Sequence, residues 1–262
     1  MGGVKMLNPR QIYHFLKTKL SAKLGLQYGL DKKAVICIMN ILISAATEAE
    51  IAPFIAHLSA GWNAISKNVY QQTNIQVVVL VTGVGIAATT YTLTRALSAV
   101  KYDLVLQVGI AGTFDSSLQL GNTVFITTDQ WGDLGAEDHD KYLDIFGMGL
   151  MDANAYPFSG GKLNNPLSEI HAQIDLPQVS ALTVNMVSGN ERTIVRLSET
   201  YNCTIESMEG AAFHYVCIME QVPFAQVRSI SNYIEPRDRS KWQIGKAVKS
   251  LNEWLMGFIE NL

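Results

Sequence analysis

Short runs of apolar residues alternate along this chain with longer stretches in which apolar residues recur every three or four positions. The runs VICIMNILIS (residues 35–44), IQVVVLV (75–81) and DLVLQVG (103–109) have the length and composition of buried strands. The first is followed by AATEAEIAPFIAHL, which predicts a turn entering a helix, and the second by TGVG and a helix to about Val100. Strands that alternate with helices in this way predict one α/β domain.

The second half of the chain continues the alternation. NTVFITTDQW alternates apolar and polar residues as a half-buried strand does, and VSALTVNMVSG predicts another strand before a helix near residues 191–200. Between them, the acidic, glycine-containing segment WGDLGAEDHDKYLDIFGMG predicts a loop with a short helix. A last helix is expected to end near residue 260.

The segment IESMEGAAFHYVCIMEQVPFAQVRSISN, residues 205–232, predicts a strand end, a helix over residues 211–220 and a second strand. In that helix, Phe213, Val216 and Cys217 share one face with Met219, and we expect this face to be buried.

Two polar residues of this segment, Glu209 and Asn232, stand at the ends of successive strands. A carboxylate at the start of a helix can serve only to stabilise the helix dipole, and this simpler interpretation of Glu209 stays open. However, ligands bind at the carboxyl ends of strands in open α/β sheets, and Asn232 closes the next strand. The sequence therefore predicts that both side chains belong to one site.

Composition narrows the class of protein. The chain has 262 residues, of which 48% are hydrophobic and 16% charged, as in a globular protein with a sizeable core. A formal net charge of −3 gives no indication of nucleic acid or of an anionic membrane surface as a partner. Residues 70–94 carry no charge, but the glycines within them predict a strand and a turn and argue against a membrane-spanning helix. Three cysteines without a CxxC pair fit reduced thiols in the cytoplasm, and the histidine spacing predicts no metal.

The first 33 residues differ from the rest, because they carry seven basic side chains and one acidic one. Such a leader could be a targeting segment, but it lacks the apolar run of a secretory signal. We expect residues 1–38 to be a basic extension outside the core, and the working domain to be residues 39–262, beginning near Met39.

Other motifs are ambiguous when taken singly. TGVGIAAT matches G-x-G-x-x-A, but the acid that a dinucleotide site requires at the end of the following strand is replaced by GIAG, so a nicotinamide-type site is disfavoured. GIAG itself, Gly109 to Gly112, could be only a tight turn, and Glu50 could be only a helix cap. The charged segment EPRDRSKW could be a solvated loop, although it directly follows Asn232.

Together these blocks resemble the nucleoside phosphorylase and nucleosidase superfamily over residues 39–260. The resemblance is carried, in chain order, by ATEAE, VTGVG, VGIAG, VSGN, SMEGAA and VRSISN. Within that superfamily, DLGAEDHDKYLDIF and SNYIEPRDRSKW look like the futalosine hydrolase family; the methylthioadenosine/adenosylhomocysteine nucleosidases are more distantly similar. The implied fold has a single domain of three layers, with a central mixed, twisted β-sheet flanked by helices.

The resemblance implies hydrolysis of the N-glycosidic bond of futalosine, a step of menaquinone biosynthesis that releases hypoxanthine and dehypoxanthinyl futalosine. It implies no cofactor, a small-molecule nucleoside as substrate, and a cytoplasmic homodimer or larger homo-oligomer. The residues that match the family's catalytic positions are Glu50, which would activate water, Glu209, which would hold the ribose hydroxyls, and Asn232, which would contact the leaving purine. The matching substrate-binding residues are Met208, Arg228, Gly109, Ile110, Ala111 and Gly112, and we add Arg237 and Arg239 as candidates for the substrate carboxylate.

The chain departs from the adenine-specific nucleosidases at two places. Those enzymes carry an aspartate where this chain has Asn232, and an aromatic residue after VSG where this chain continues NERT, so the residue that stacks on the purine is not identified. Three alternatives stay open: a purine nucleoside phosphorylase, another purine nucleosidase and, less favoured, a nucleoside-binding protein without catalysis.

Overall fold

The computed structural model describes residues 38–139, 141–166 and 169–262. It contains the predicted strands and, in addition, several short ones. The expectation for the basic extension lies almost wholly outside the described residues. The strands are β1 (Met39–Ala45), β2 (Asn63–Ser66), β3 (Val69–Gln72), β4 (Ile75–Val81), β5 (Leu104–Thr113), β6 (Thr123–Asp129), β7 (Gly135–Asp138), β8 (Lys141–Asp144), β9 (Leu163–Asn164), β10 (Gln178–Thr183), β11 (Ile205–Ser207) and β12 (Phe224–Tyr233).

The α-helices occur close to the positions that the apolar spacing predicts. They are α1 (Glu48–Gly61), α2 (Ile86–Ala99), α3 (Glu191–Tyr201), α4 (Gly210–Met219) and α5 (Ile244–Glu260), with short 3-10 helices at Glu169–Gln173 and Arg239–Lys241. No helix in the described parts of the chain is long and apolar enough to cross a membrane.

The main sheet is mixed, as predicted. Its strand order is β11-β10-β6-β12-β5-β1-β4-β3-β2, with β9 beside β6. β1 runs parallel to β4 and β5, and β12 runs parallel to β5 but antiparallel to β6. β11 also pairs with β5, antiparallel, so that β5, β12, β6, β10 and β11 close into a ring.

Helices cover both faces of the sheet, which confirms the three-layer architecture. Side chains alternate between the faces of a strand, and in β1 Ile41 and Ile43 pack with apolar residues of α1 and α5, whereas Leu42 packs with those of α2 and α4. Ile41, Leu42 and Ile43 are fully buried. Burial of apolar surface of this kind is the main favourable contribution to folding.

Two local predictions are wrong. The segment after Trp131 forms the hairpin β7–β8 and no helix among its described residues, because Gly135 lets its backbone lie against Leu143 and His139 adopts a φ of 54° near the turn. Met219 is 45% exposed, because it is the last residue of α4, before the turn that leads into β12.

Candidate active site

The first part of the site is the N-terminus of α1, where Glu50 is buried. Its Oε2 accepts hydrogen bonds from the backbone N–H and the hydroxyl of Thr47, both at 2.9 Å. Its Oε1 accepts from the backbone N–H of Ile110 in β5, at 3.1 Å. Glu50 therefore both caps its helix and reaches the central strand. A carboxylate can accept about four hydrogen bonds, so these three leave room for one further donor, such as a water molecule.

Gly109 is the point at which Glu50 and Arg228 meet. A Cβ on Gly109 would lie 2.5 Å from Nη1 of Arg228 and 3.0 Å from Oε1 of Glu50. Gly109 pairs with Arg228 in the register of β5 and β12, so a side chain here would collide with the arginine and crowd the carboxylate. Gly109 of the GIAG motif thus leaves room for the Glu50 carboxylate and the Arg228 guanidinium to approach each other.

Arg228 is 1% exposed and is held from two sides. Its Nη2 donates to Oε1 of Gln107 at 2.9 Å, and its Nη1 forms an ion pair with Oε2 of Glu209 at 3.3 Å. A buried guanidinium is costly unless it is paired and hydrogen-bonded, which gives Gln107 and Glu209 a shared role in keeping the arginine in place.

Glu209 is the N-cap residue of α4, yet its side chain makes no capping hydrogen bond to that helix. Instead its Oε1 accepts from the backbone N–H of Gly85, at 3.1 Å, and its Oε2 faces Arg228. Gly83 and Gly85 have φ values of 88° and 90°, a backbone conformation that favours glycine. The TGVG turn therefore presents an N–H group to a buried carboxylate.

Asn232 lies further along β12, where it pairs with Gly112 of β5. Its Nδ2 is 3.1 Å from the point at which a Cβ of Gly112 would lie. Its Oδ1 accepts from the Ser231 hydroxyl at 2.8 Å, and its Nδ2 donates to the Tyr233 carbonyl at 3.1 Å. Gly112 is three residues beyond Gly109, or about 10 Å along a strand. The acidic cluster, Glu50 with Glu209, and the Asn232 amide thus flank Gly109–Gly112 of β5, a stretch in which all residues except Ile110 are glycine or alanine.

The structure brings together Glu50, Glu209, Arg228 and the Gly109–Ile110 backbone, with Gly112 and Asn232 next along the strands. Ala111 contributes its carbonyl, which accepts from the Ser231 hydroxyl at 3.1 Å. Met208 is half-buried beside Glu209 in the chain.

The two candidate arginines lie in the loop after β12, whereas the acidic cluster is buried. Both are exposed, and their guanidinium carbons stand 5.0 Å (Arg237) and 5.9 Å (Arg239) from the centre of the Trp242 ring. The N–H of Arg237 donates to the Gly189 carbonyl at 3.1 Å, so the EPRDRSKW loop adjoins the VSGN loop.

The VSGN loop is itself fastened to β11. Buried Glu206 accepts hydrogen bonds from the backbone N–H and the hydroxyl of Ser188. Burial raises the pKa of Glu206, and the Ser188 hydrogen bonds oppose that rise. This attachment holds in place the residues that lead into α3.

Sequence reasoning did not identify three contributors, Thr47, Gln107 and the N–H of Gly85. Two of them left a signal: Thr47 stands three residues before Glu50, the spacing of a capping box, and Gln107 is a polar residue inside an apolar strand. Among the described residues, no group of three or more His, Cys, Asp or Glu side chains is arranged to hold a metal ion.

Comparison with known proteins identifies the family to which the chain belongs. The family model of the phosphorylase superfamily matches residues 40–260. The chain belongs to the phosphorylase superfamily.

Particular relatives narrow the comparison and confirm the resemblance. The chain is 30% identical to the futalosine hydrolase of Streptomyces coelicolor over 160 residues, which are 60% of this chain and 66% of that protein. It is 31% identical to the futalosine hydrolase of Acidothermus cellulolyticus over 176 residues, 66% of this chain and 71% of that protein. The match thus spans about two thirds of the Streptomyces protein.

Among solved structures, the native futalosine hydrolase of Helicobacter pylori superimposes with a TM-score of 0.72. The superposition covers 86% of this chain and 99% of that one, at 18% sequence identity, and so shows a common fold.

Proposed function

We propose that this chain is an N-glycosyl hydrolase that cleaves futalosine to hypoxanthine and dehypoxanthinyl futalosine. The observation that carries the proposal is the meeting of Glu50, Arg228 and Glu209 beside Gly109. The choice of futalosine as the substrate rests on the matches to two futalosine hydrolases, at 30% and 31% identity.

The residue types suit the reaction. Breaking the bond between the sugar C1′ and the purine nitrogen develops positive charge on the sugar and negative charge on the departing base. Glu209 would hold the ribose hydroxyls and stabilise the cationic sugar. Glu50 would accept a proton from the water whose oxygen bonds to C1′, using the hydrogen-bonding capacity that Thr47 and Ile110 leave free.

The departing purine would lie along Gly109–Gly112, where the strand carries glycine or alanine at every position except Ile110. A proton from solvent water is taken up at N7 as the bond to C1′ breaks, so that the purine leaves neutral, and the amide oxygen of Asn232 would accept a hydrogen bond from that N7–H. The proton that Glu50 takes from the attacking water returns to solvent. In this proposal every step uses side chains and backbone of this chain, and water is the second substrate.

A phosphorylase is the second candidate, because the buried guanidinium of Arg228 borders the space above Gly109 and could attract an anion. Two features oppose it. Arg228 is already paired with Glu209 at 3.3 Å, and Glu50 shares the same space, so a phosphate would meet a carboxylate there.

The test is chromatographic detection of free hypoxanthine from futalosine and inosine, and of adenine from methylthioadenosine, each with and without phosphate. We expect rapid release from futalosine at a rate independent of phosphate. Release that requires phosphate would establish a phosphorylase. Tight binding of an intact nucleoside without release would indicate a binding protein and refute the proposal.

We also propose that the protein works in the cytoplasm as a homo-oligomer. Two buried free thiols, Cys203 and Cys217, support a reducing compartment. Leu150, Met151 and Tyr156 are exposed in the segment after the β7–β8 hairpin, where a second copy could cover them. Light scattering of the purified protein tests the oligomer, and a monomeric mass at micromolar concentration would contradict it.

A further inference from the structure

Glu209 occupies the N-cap of α4 without capping it, so other residues satisfy the first N–H groups of that helix. An N-cap side chain ordinarily accepts from the N–H two or three positions on. Here the residue two positions on is Ala211, and its N–H donates to Oγ1 of Thr183 at 2.7 Å. The N–H of Gly210 donates to the Ser207 hydroxyl at 3.3 Å. Thr183, the last residue of β10, therefore performs the capping that Glu209 leaves undone.

Asp129 fixes the direction of the Thr183 hydroxyl. That hydroxyl donates to Oδ1 of Asp129 at 2.8 Å, and both residues are fully buried. A hydroxyl has one proton. Because the Thr183 hydroxyl uses that proton in the hydrogen bond to Asp129, a lone pair on Oγ1 remains to accept from the N–H of Ala211. The Asp129 carboxyl is fixed in turn by the N–H of Gln130, which donates to the same oxygen at 2.8 Å.

Gly210 shows how closely the start of α4 rests on this cluster. A Cβ at Gly210 would overlap both Oδ2 of Asp129 and Nε2 of Gln226. Gln226 is two residues before Arg228 on β12, so it shares a face of the strand with the arginine. One polar cluster thus supports the first turn of α4, while Arg228 holds the carboxylate of Glu209.

We infer that Thr183, oriented by Asp129, is a positioning residue for Glu209. By capping α4 it leaves the Glu209 carboxylate free to face Gly85, Arg228 and the sugar of the substrate. Without the Thr183 hydroxyl, the N–H of Ala211 would be buried without an acceptor, and it would compete with Gly85 and Arg228 for that carboxylate. This inference rests on the proposed function for its substrate.

The test compares Thr183→Val, which removes the hydroxyl but keeps the shape, with Thr183→Ser, which keeps the hydroxyl. We expect Thr183→Val to lower kcat about tenfold with little change in KM, the effect of one displaced hydrogen bond, and Thr183→Ser to stay within about twofold of the parent. Both changes are then repeated in a Glu209→Gln background. If Thr183 acts through Glu209, Thr183→Val should cost less than about twofold there.

Three results would overturn the inference. They are an equal loss for Thr183→Val in both backgrounds, no loss in either, and a serine variant as damaged as the valine variant. Should Thr183→Val fail to fold, Thr183→Ala takes its place in the same cycle.

Hydrogen exchange at the backbone amide of Ala211 provides a readout that needs no turnover. It should be faster in the valine or alanine variant than in the parent and unchanged in the serine variant, and equal exchange in all would reject the capping role. If the parent protein hydrolyses no nucleoside, the proposed function fails and the exchange measurement alone decides the role of Thr183.

Discussion

Arg228 and Glu209 form a buried ion pair in which Nη1 of the arginine faces Oε2 of the glutamate at 3.3 Å. The other carboxylate oxygen of Glu209 accepts from the backbone of Gly85, a residue distant in the chain. Two sequence blocks, VTGVG and SMEGAA, are therefore linked through one side chain, and a third, VRSISN, supplies the arginine.

Glu209→Gln keeps the shape of this side chain but removes its charge. Because hydrogen bonds to charged groups contribute more than neutral ones, we expect kcat to fall about 10- to 100-fold. Steady-state kinetics alongside thermal unfolding separates this effect from loss of fold, since Arg228 is left buried without its partner. Glu220→Gln, at the exposed other end of α4, is the matched control. Activity close to that of the parent would mean that Glu209 only pairs with Gly85 and Arg228 and does not hold the sugar.

Glu50→Gln removes the proposed base for water and should leave substrate affinity nearly unchanged. A general base contributes about 10²- to 10⁴-fold to the rate, so we expect a loss in kcat of that size. The matched control is Glu48→Gln on the same helix turn, whose side chain is exposed. A loss in the Glu50 variant of less than about tenfold would reject the assignment.

The sequence predicted the elements that carry the site better than the contacts within it. Glu50 could be placed at a helix start and Gly109 in the terminal part of a strand, because apolar periodicity and glycine are local signals. That Glu50 would reach the N–H of Ile110, 60 residues away, depends on how β1 and β5 pair, which periodicity does not encode. The same holds for the Gly85 N–H that meets Glu209.

The hairpin β7–β8 was missed for a different reason. Its polar, acidic sequence has little apolar alternation, so neither the helical nor the strand period is present. Its backbone pairing depends on a close approach at Gly135 and a positive φ at His139, which tertiary context decides.

The buried carboxyl of Asp129 makes stability depend on pH in a defined direction. Burial raises its pKa from 3.8 to about 7, against the opposing effects of hydrogen bonds from Thr183 and Gln130 and of the nearby positive charge of Arg228. Unfolded protein therefore loses this proton at lower pH than folded protein does. The stabilisation from this group is complete below about pH 4 and is lost as the pH rises to about 7.

Asp129→Asn cannot titrate, so its free energy of unfolding relative to the parent should improve by about 2 kcal/mol between pH 5 and pH 7.5. Urea unfolding of both proteins at the two pH values measures this difference. His214 titrates in the opposite sense, because burial lowers its pKa to about 4, but it is present in both proteins and its contribution cancels. A relative stability that does not change with pH would show that Asp129 is ionised throughout this range.

Arg237 and Arg239 are our candidates for binding the benzoate-type carboxylate at the far end of the futalosine substituent, because carboxylates pair well with guanidinium groups. Both stand over Trp242, beside the loop that leads into α3. Replacing both with alanine should raise KM for futalosine much more than for inosine, which has no such carboxylate. Lys249→Ala, which removes an exposed cation on α5, is the control. Equal effects on the two substrates would favour a solvated loop, where exposed charges contribute little.

Asn232 offers the sharpest test of base recognition, because its amide carries one donor group and one acceptor group. A 6-oxopurine that leaves protonated at N7 presents a donor at N7 and an acceptor at O6, which an amide oxygen and an amide NH₂ match respectively. Adenine presents a 6-amino donor instead, and turning the amide to accept it leaves no good proton donor for N7. A protonated carboxyl satisfies both atoms of adenine.

The structure adds a reason for a carboxyl at this position to hold a proton. Nδ2 of Asn232 lies 3.1 Å from the Tyr233 carbonyl oxygen, so an ionised carboxylate oxygen in its place would face another acceptor. A mispaired buried polar group costs roughly 1–3 kcal/mol, or about ten- to hundredfold in selectivity. Asn232→Asp should therefore lower kcat/KM for the hypoxanthine nucleoside and raise it for its 6-amino analogue. Ser240→Ala, which alters an exposed hydroxyl in the loop after β12, is the control, and both substrates are measured with each variant. If the ratio of the two kcat/KM values stays that of the parent, Asn232 does not contact the purine, and the base lies elsewhere along β5.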